Sequence, residues 1–203
     1  MITGLKRLDK GFRDVRREWE EFAPSYGDFK SPIRLITLTK SLNKHKISLQ
    51  DKEIVEHGCA NGLLTMELLS IAKFVRGVDF SANLLAEAQR RLMGRNGYTL
   101  SPIIRDFSIL TDLSADVVLC VSMLEHLPED MVTRTVQDAY RVLRKGGYLI
   151  LKLPTDSEHW ISRSPISPAL DRVIWEPSEI EVMADTYRFD IIEIGEFSIL
   201  RKR

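Results

Sequence analysis

Strand-like apolar runs and helix-like amphipathic runs alternate along most of this chain of 203 residues, and this alternation restricts the fold more than any other feature. Connections long enough to hold a helix join parallel strands through right-handed crossovers. We predict strands at 53–56, 74–78, 98–104, 116–121, 148–153, 189–194 and 197–201, and helices at 63–72, 82–93, 129–144 and 178–187. The pattern predicts an α/β protein with a doubly wound, mostly parallel sheet of seven strands.

The two ends of the chain depart from this alternation. Only Gly195 and Glu196 separate the last two predicted strands, which is too short for a crossover, so we expect an antiparallel hairpin at one edge of the sheet. The N-terminal residues instead show a helical apolar stripe, formed by Leu5, Leu8, Phe12, Val15, Trp19 and Phe22. A second helix is expected to begin at Ser31-Pro32, a favourable N-cap and first-turn pair. Residues 1–48 are therefore predicted to form a helical cap on a core of residues 49–203.

Composition favours a single domain, 1–203, of ordinary globular type. Hydrophobic residues make up 44% of the chain, and 29 basic residues balance 29 acidic ones. This balance gives no overall field that would recruit nucleic acid or an anionic membrane. Cys59 and Cys120 lack the spacing of a metal site, and we expect buried, reduced thiols. Without a run of roughly 20 apolar residues or a signal-peptide core, a cytoplasmic location is the default expectation.

The stretch from Glu53 to Gly62 ends a strand-like run in an acidic residue and two glycines, directly before a helix-like segment. Gly58 and Gly62 permit a tight turn whose backbone N–H groups are expected to point at a ligand. A dinucleotide fingerprint would place glycines where this chain has Ala60 and Leu63. We therefore predict a nucleotide-like ligand other than a dinucleotide.

Polar residues follow four of the predicted strands, at the edge of the sheet where α/β proteins bind ligands. Glu56 comes at the end of the first strand and Asp79 at the end of the second. A carboxylate at the end of the second strand, such as that of Asp79, suits the hydroxyls of a ribose. Both of its oxygens accept hydrogen bonds, and a vicinal diol offers two donors. Phe80, next to Asp79, is placed to pack against an adenine ring. These positions predict a nucleoside-containing cofactor.

Five runs together resemble the ordered motifs of class I S-adenosylmethionine-dependent methyltransferases. They are VEHGCANG at 55–62, GVDFSANLLAEA at 77–88, RDF at 105–107, LEHLPED at 124–130 and RVLRKGGYLIL at 141–151. Within that class, the chain is most similar to the small-molecule branch that includes enzymes of the ubiquinone and menaquinone pathways. The resemblance implies a Rossmann-like fold, S-adenosylmethionine as cofactor and methyl transfer to oxygen, nitrogen or carbon of a small molecule.

The resemblance also implies a set of cofactor-binding residues. These are Glu56, Gly58, Cys59, Ala60, Gly62, Asp79, Phe80, Asp106, Phe107 and Val121. Glu56 and the glycine turn are expected to face the methionine part, Asp79 the ribose, and Asp106 with Phe107 the adenine. Val121 is expected on the side of the methyl group. Ala60 departs from the family, which often has glycine there, and its methyl group is expected to shift the turn slightly.

Glu125-His126 carries the remaining candidate chemistry. Some family members bind a divalent metal through a Glu, two residues and a Glu-His pair, but Ser122 stands at the first Glu position here. We therefore predict no metal site; the alternative is that Asp156 or His159, after the fifth strand, supplies the missing ligand. His126 is predicted as a general base, a role worth typically 10²–10⁴ in rate. The alternative is a residue at the start of a helix that is hydrogen-bonded only locally.

Three functions remain open from the sequence. The leading one is a small-molecule methyltransferase that forms a possible homodimer, with the proline-broken segment 155–176 and the N-terminal region as lids. The second is an RNA methyltransferase, suggested by basic residues of the first helix such as Arg13, Arg16 and Arg17, although the neighbouring acidic residues make a nucleic-acid partner the weaker expectation. The third is a non-catalytic module in which the N-terminal stripe binds another helix.

Overall fold

A computed structural model of the chain describes residues 11–26, 35–103, 110–156, 160–164 and 167–203. Among these residues lie the helices α1 (Phe12–Tyr26), α2 (Leu35–Asn43), α3 (Leu63–Leu68), α4 (Ala82–Arg91), α5 (Glu129–Val142) and α6 (Pro177–Thr186). The strands are β1 (Glu53–His57), β2 (Phe74–Asp79), β3 (Tyr98–Pro102), β4 (Ala115–Val121), β5 (Leu143–Lys152), β6 (Trp160–Ser162), β7 (Arg172–Ile174), β8 (Phe189–Glu193) and β9 (Ser198–Lys202). Two short 3₁₀ turns cover Leu124–His126 and Pro168–Leu170.

Seven strands form one sheet in the order β3-β2-β1-β4-β5-β9-β8. The first five in this order are parallel, whereas β9 runs antiparallel to both β5 and β8. The predicted α/β fold with a seven-stranded sheet and a C-terminal edge hairpin is confirmed. The chain order of the strands reverses between β1 and β4, so the carboxyl ends of these strands flank the position where such sheets bind ligands.

Both faces of the sheet are buried, because helices cover each of them. Along β1, Ile54 packs into one apolar cluster and Val55 into the other, and both side chains are fully buried. The cluster around Val55 includes residues of α1, α5 and α6, and the cluster around Ile54 includes residues of α2 and α3. A parallel strand covered on both sides needs apolar residues at successive positions. This explains why the central strands read as continuous apolar runs.

The junction between the helix predicted at 129–144 and the strand predicted at 148–153 lies earlier in the chain than expected. The helix ends at Val142, because Leu143 is already extended and pairs with Ala115. Gly146 has a left-handed φ of +76° and lies within β5 beside an irregular register. A Cβ on Gly147 would lie 2.8 Å from the Asp116 carbonyl oxygen, so the second glycine is required by close packing.

The segment 155–176, predicted to be an irregular loop, contains additional structure. β6 and β7 form a separate two-stranded antiparallel sheet, and the 3₁₀ turn Pro168–Leu170 lies between them. Val173 and Ile174 of β7 are buried, and the burial of these β-branched side chains stabilises the short strand. The prolines suggested only a break in helix formation and gave no signal for this hairpin. Its role as a lid, and the division into cap and core, remain predictions.

The predicted N-terminal helices are described only in part. Leu5, Leu8 and residues 31–34 lie outside the described residues, whereas α1 extends the predicted stripe as far as Tyr26. Within the part of the chain that the structure describes, no helix has the length and apolar character needed to cross a membrane.

Candidate functional site

A cavity opens at the carboxyl ends of β1, β2 and β4, where the strand order reverses. Its walls come from the turn after β1, the end of β2, the residues after β4 and helix α1. The lining residues are Trp19, Tyr26, Glu56, Gly58, Cys59, Ala60, Asn61, Leu63, Leu64, Asp79, Phe80, Leu84, Val121, Ser122, Met123, His126 and Leu127. Residues predicted separately at three strand ends are therefore neighbours in one site.

The turn after β1 is built on left-handed backbone at alternate residues. Gly58 and Gly62 both have φ of +76°, and Ala60 has φ of +46°. An L-residue in this region costs roughly 1–2 kcal/mol relative to ordinary backbone, which gives a physical reason why glycine would suit position 60. The Ala60 methyl group therefore stores strain in the turn, in addition to occupying space.

The backbone N–H groups of this turn do not point at a ligand as predicted. Gly58 and Cys59 donate to the Val78 carbonyl at 2.8 and 3.2 Å, and Gly62 donates to the Cys59 carbonyl at 2.9 Å. Ala60 donates to the Asp79 carboxylate at 3.0 Å. The prediction is wrong for these four groups, because the turn folds back on the end of β2. A turn whose N–H groups already donate to other groups of the protein is poorly suited to binding a pyrophosphate.

Asp79 lies at the junction of this turn and helix α4. Its Oδ2 accepts from Ala60 N at 3.0 Å and its Oδ1 accepts from Ser81 N at 2.9 Å. Burial raises the pKa of Asp79 to about 6, although the backbone hydrogen bonds oppose that shift. A carboxylate has about four acceptor sites. Asp79 therefore keeps acceptor capacity for a ligand in the cavity after both backbone bonds are made.

Glu56 is buried at the end of β1, with 4% of its surface exposed. Its Oε2 accepts a hydrogen bond from Thr65 Oγ1 at 2.5 Å. Burial raises the pKa of Glu56 to about 8; the Thr65 bond opposes this and the nearby Asp79 adds to it. The side chain is therefore protonated near neutrality in the structure without a ligand. A cation in the cavity would favour its ionised form.

We expect the unliganded protein to lose stability as pH rises between 4.5 and about 8, the ordinary and raised pKa values of Glu56. In this window the folded state holds a proton that the unfolded state has released, so folding is favoured at the lower pH, by up to ~1.4 kcal/mol per pH unit. Glu56→Gln removes this contribution. Urea unfolding across the window should show the wild type losing stability relative to the variant; parallel curves would contradict the assignment.

Gly58→Ala is expected to cost more stability than Gly94→Ala. Both glycines have left-handed φ, +76° and +79°, so both variants carry backbone strain of roughly 1–2 kcal/mol. A Cβ on Gly58 would lie 2.6 Å from Met123 Cγ, whereas none of the described atoms lies within 4 Å of a Cβ on Gly94. Overpacking of this kind adds about 1–3 kcal/mol. Urea unfolding of the two variants measures the difference, and equal losses would show that Met123 yields freely.

Helix α1 covers the cavity and is fastened to the start of α4. The Glu20 carboxylate accepts from Ala82 N at 2.6 Å, from Ser81 Oγ at 2.9 Å and from Asn83 N at 3.2 Å. An acidic side chain at a helix N-terminus satisfies unpaired N–H groups and interacts favourably with the helix dipole. Glu20 therefore joins the N-terminal helix to the segment that begins two residues after Asp79.

Aromatic side chains of α1 fill part of the space beneath it. Trp19 and Tyr26 line the cavity, and burial with the nearby Asp79 and Glu56 carboxylates raises the pKa of Tyr26 to about 12. The remaining cavity measures about 80 Å³, compared with ~300–1,000 Å³ for typical small-molecule sites. A nucleoside-sized ligand therefore requires these aromatic side chains to move.

His126 lines the same cavity from the 3₁₀ turn after β4. Its Nδ1 lies 2.8 Å from the carbonyl oxygen of Asp171, 45 residues further along the chain. The Trp19 ring meets the imidazole edge-on, with centroids 5.3 Å apart and planes at 77°. The alternative of a purely local hydrogen bond is therefore wrong. Contacts from two distant segments hold this ring.

Glu125 points elsewhere. It is 2% exposed, it does not line the cavity, and its Oε2 has no hydrogen-bond partner among the described residues. Burial raises its pKa to about 8. The described residues contain no group of three or more potential metal-ligating side chains, and His159 lies outside them. The absence of a metal stays a prediction.

The structure brings most of the predicted site residues together. Eight of them line the cavity: Glu56, Gly58, Cys59, Ala60, Asp79, Phe80, Val121 and His126. Gly62 does not; a Cβ there would meet Ala88 of α4 at 3.0 Å, so this glycine allows the turn to pack on the helix. Asp106 and Phe107 lie outside the described residues. Their roles as cofactor contacts stay predictions.

Other cavity residues were not predicted as site residues. Asn61, Ser122 and Met123 adjoin predicted positions, so their places after β1 and β4 were a usable signal. Leu63, Leu64, Leu84 and Leu127 looked like ordinary core residues. Both thiols, Cys59 and Cys120, are free and buried, as expected.

Comparison with known proteins agrees with this arrangement. Residues 55–151 match the family described as methyltransferase domain. Ubiquinone biosynthesis O-methyltransferase from Coxiella burnetii is 28% identical over 156 residues, 73% of this chain and 64% of that protein. The enzyme of the same name from Glaesserella parasuis is 24% identical over 151 residues, 69% of this chain and 60% of that protein. The chain thus spans less than two thirds of the length of these relatives.

Solved structures show the same fold. The DhpI–SAM–HEP complex superposes with a TM-score of 0.70 at 17% identity, covering 96% of this chain and 99% of that one. A SAM-dependent methyltransferase from Methanosarcina mazei gives a TM-score of 0.64 at 18% identity, covering 79% of this chain and 96% of that one. The fold is thus the Rossmann-like fold of these S-adenosylmethionine-dependent methyltransferase structures. Within it, residues 55–151 match the methyltransferase domain family, in agreement with the sequence resemblance.

Proposed function

We propose that this protein transfers a methyl group from S-adenosylmethionine to a hydroxyl oxygen of a small-molecule acceptor. The observation that carries the proposal is the single cavity that Glu56, Asp79 and His126 share. Two of these groups suit the cofactor and the third suits proton removal from an acceptor. The matched relatives named as O-methyltransferases support oxygen as the acceptor atom.

The polar groups of the cavity fit S-adenosylmethionine chemically. Asp79 holds two backbone N–H groups and keeps acceptor capacity for the two hydroxyls of a ribose. Glu56 offers a buried carboxyl group to the positively charged methionine part, and a bound cation would lower its raised pKa and release its proton. The cavity of about 80 Å³ requires Trp19 and Tyr26 to move when the cofactor binds.

His126 is assigned as the general base. S-adenosylmethionine supplies an electrophilic methyl group on its sulfonium. His126 Nε2 would accept the proton of the acceptor hydroxyl as the bound cofactor supplies the methyl group and leaves as S-adenosylhomocysteine. Trp19 and Tyr26 line the cavity and would limit the entry of water. Holding the reacting groups in the right geometry would supply much of the rate.

A transfer assay tests the function. Protein with S-adenosylmethionine labelled on its methyl group is offered phenols, catechols, small amines and RNA in separate reactions. The expected result is label on a hydroxyl-bearing small molecule, with S-adenosylhomocysteine as the second product. Label only on RNA would support the RNA methyltransferase instead. Tight cofactor binding without transfer to any acceptor would support the non-catalytic module.

Several finer predictions belong to this proposal. We expect a small-molecule substrate in preference to a nucleic-acid partner, a cytoplasmic location and a possible homodimer. The salt dependence of RNA binding addresses the nucleic-acid partner, since each phosphate contact changes the logarithm of affinity by roughly one unit per logarithmic unit of salt.

A further inference from the structure

The ring of His126 is held between two segments that lie far apart in the chain. One is helix α1, whose Trp19 packs edge-on against the imidazole. The other is the hairpin of β6 and β7, which presents the Asp171 carbonyl oxygen 2.8 Å from Nδ1. Neither segment belongs to the 55–151 stretch that matches the methyltransferase domain family. The orientation of this candidate base is therefore determined by segments outside the stretch that matches the family.

The partner on the hairpin determines which nitrogen carries hydrogen. A carbonyl oxygen only accepts hydrogen bonds, so Nδ1 must be the donor. In a neutral imidazole the other nitrogen then has the lone pair. Nε2 is thus the basic nitrogen, as proton abstraction at the cavity requires. A hydrogen-bond donor in place of the Asp171 carbonyl group would favour the opposite tautomer.

The Asp171 side chain fixes the direction of its own carbonyl group. Asp171 is 6% exposed, and its Oδ1 accepts from Ser164 N at 2.8 Å while its Oδ2 accepts from Arg163 Nη1 at 2.7 Å. Its backbone N donates to the Pro168 carbonyl at 3.2 Å. The buried carboxylate therefore ties the end of β6 to the start of β7. The carbonyl of the same residue points out of this closed turn toward His126.

We propose that Asp171 is a positioning residue, whose carboxylate closes the turn between β6 and β7 so that its carbonyl holds His126 in the tautomer with Nε2 basic. The proposal rests on the assignment of His126 as general base. It gives the hairpin a chemical role in place of the simple lid that the sequence predicted. It also places a determinant of the reaction in a segment outside the stretch that matches the methyltransferase domain family.

The test combines a spectroscopic readout with kinetics on the full chain. Long-range ¹H–¹⁵N spectra report the tautomer of each of the four histidines, and His126→Asn identifies the signal of His126. The wild type is expected to show the Nδ1–H form. Asp171→Ala should mix the tautomers and lower kcat about 10²-fold with KM for S-adenosylmethionine unchanged, since displaced catalytic groups cost about that much.

Two further variants separate this role from general damage. Asp171→Asn keeps an acceptor for Ser164 N and loses the charge that pairs with Arg163, so its effects should be smaller than those of Asp171→Ala. Asp190→Ala breaks a remote pair with Arg203, also 2.8 Å long, and should leave kcat and the His126 tautomer unchanged. Circular dichroism confirms that each variant is folded.

The two readouts distinguish the possible failures. An unchanged Nδ1–H tautomer in folded Asp171→Ala would overturn the positioning role, whatever the activity of His126→Asn. A changed tautomer with wild-type kcat would overturn the role of His126 as base, and with it the catalytic importance of Asp171. A changed tautomer with reduced kcat and unchanged cofactor KM supports both.

Discussion

Replacing Asp79 with alanine is expected to weaken S-adenosylmethionine binding by roughly 10²–10⁴-fold, since hydrogen bonds to a charged group contribute about 1.5–3 kcal/mol each and the ribose offers two. Asp79 also anchors Ala60 N and Ser81 N, so the variant loosens the turn after β1 as well. Both consequences act on the same site. Isothermal titration with S-adenosylhomocysteine measures the affinity directly and needs no acceptor substrate.

Asp116→Ala is the matched control. Asp116 is also an acid on a parallel strand, but it lies at the amino end of β4, away from the carboxyl ends that flank the cavity. There it accepts from Glu53 N and pairs with Arg144 at 2.9 Å. Its removal is expected to lower stability and to leave cofactor affinity unchanged. If Asp79→Ala bound the cofactor as tightly as the wild type, the ribose would have to contact a different group.

His126→Asn is expected to lower kcat by about 10²–10⁴-fold, the usual contribution of a general base. Asparagine is the informative replacement, because its side-chain NH₂ can donate to the Asp171 carbonyl as Nδ1 does, while no basic nitrogen remains. Cofactor affinity should be unaffected, since the proposal assigns His126 to the acceptor and Glu56 and Asp79 to the cofactor. Release of S-adenosylhomocysteine gives the rate.

A histidine elsewhere provides the comparison. His45 Nε2 lies 2.8 Å from Glu193 Oε2, outside the cavity, so His45→Asn should keep the wild-type kcat. Added imidazole is expected to restore part of the activity of His126→Asn and to leave the activity of the wild type unchanged. A His126→Asn enzyme as fast as the wild type would mean that positioning alone drives the transfer.

Most of the sheet could be predicted because its signals are local. The apolar run ending at Glu56 and the short link at Gly195 depend only on neighbouring residues, and periodicity reports directly on backbone conformation. The hairpin of β6 and β7 escaped prediction because its strands are three residues each. Strands of that length leave too few positions for alternation to be visible.

The candidate site divides in the same way. Glu56 and Asp79 could be predicted because each lies at the end of a strand, and the carboxyl ends of parallel strands meet at one edge. The internal use of the N–H groups at Gly58 and Cys59 could not, since it depends on how the turn packs against the end of β2. The left-handed backbone of Ala60 likewise became visible only in three dimensions.

By itself, the sequence determined the order of strands and helices, the resemblance to methyltransferase motifs and the acids at the strand ends, because these follow from short-range patterns and their order. Tertiary structure alone decided how α1 is held by Glu20 and which group faces His126 Nδ1. Those features join residues 45 or more positions apart. Contacts over such distances depend on packing geometry, which local periodicity does not encode.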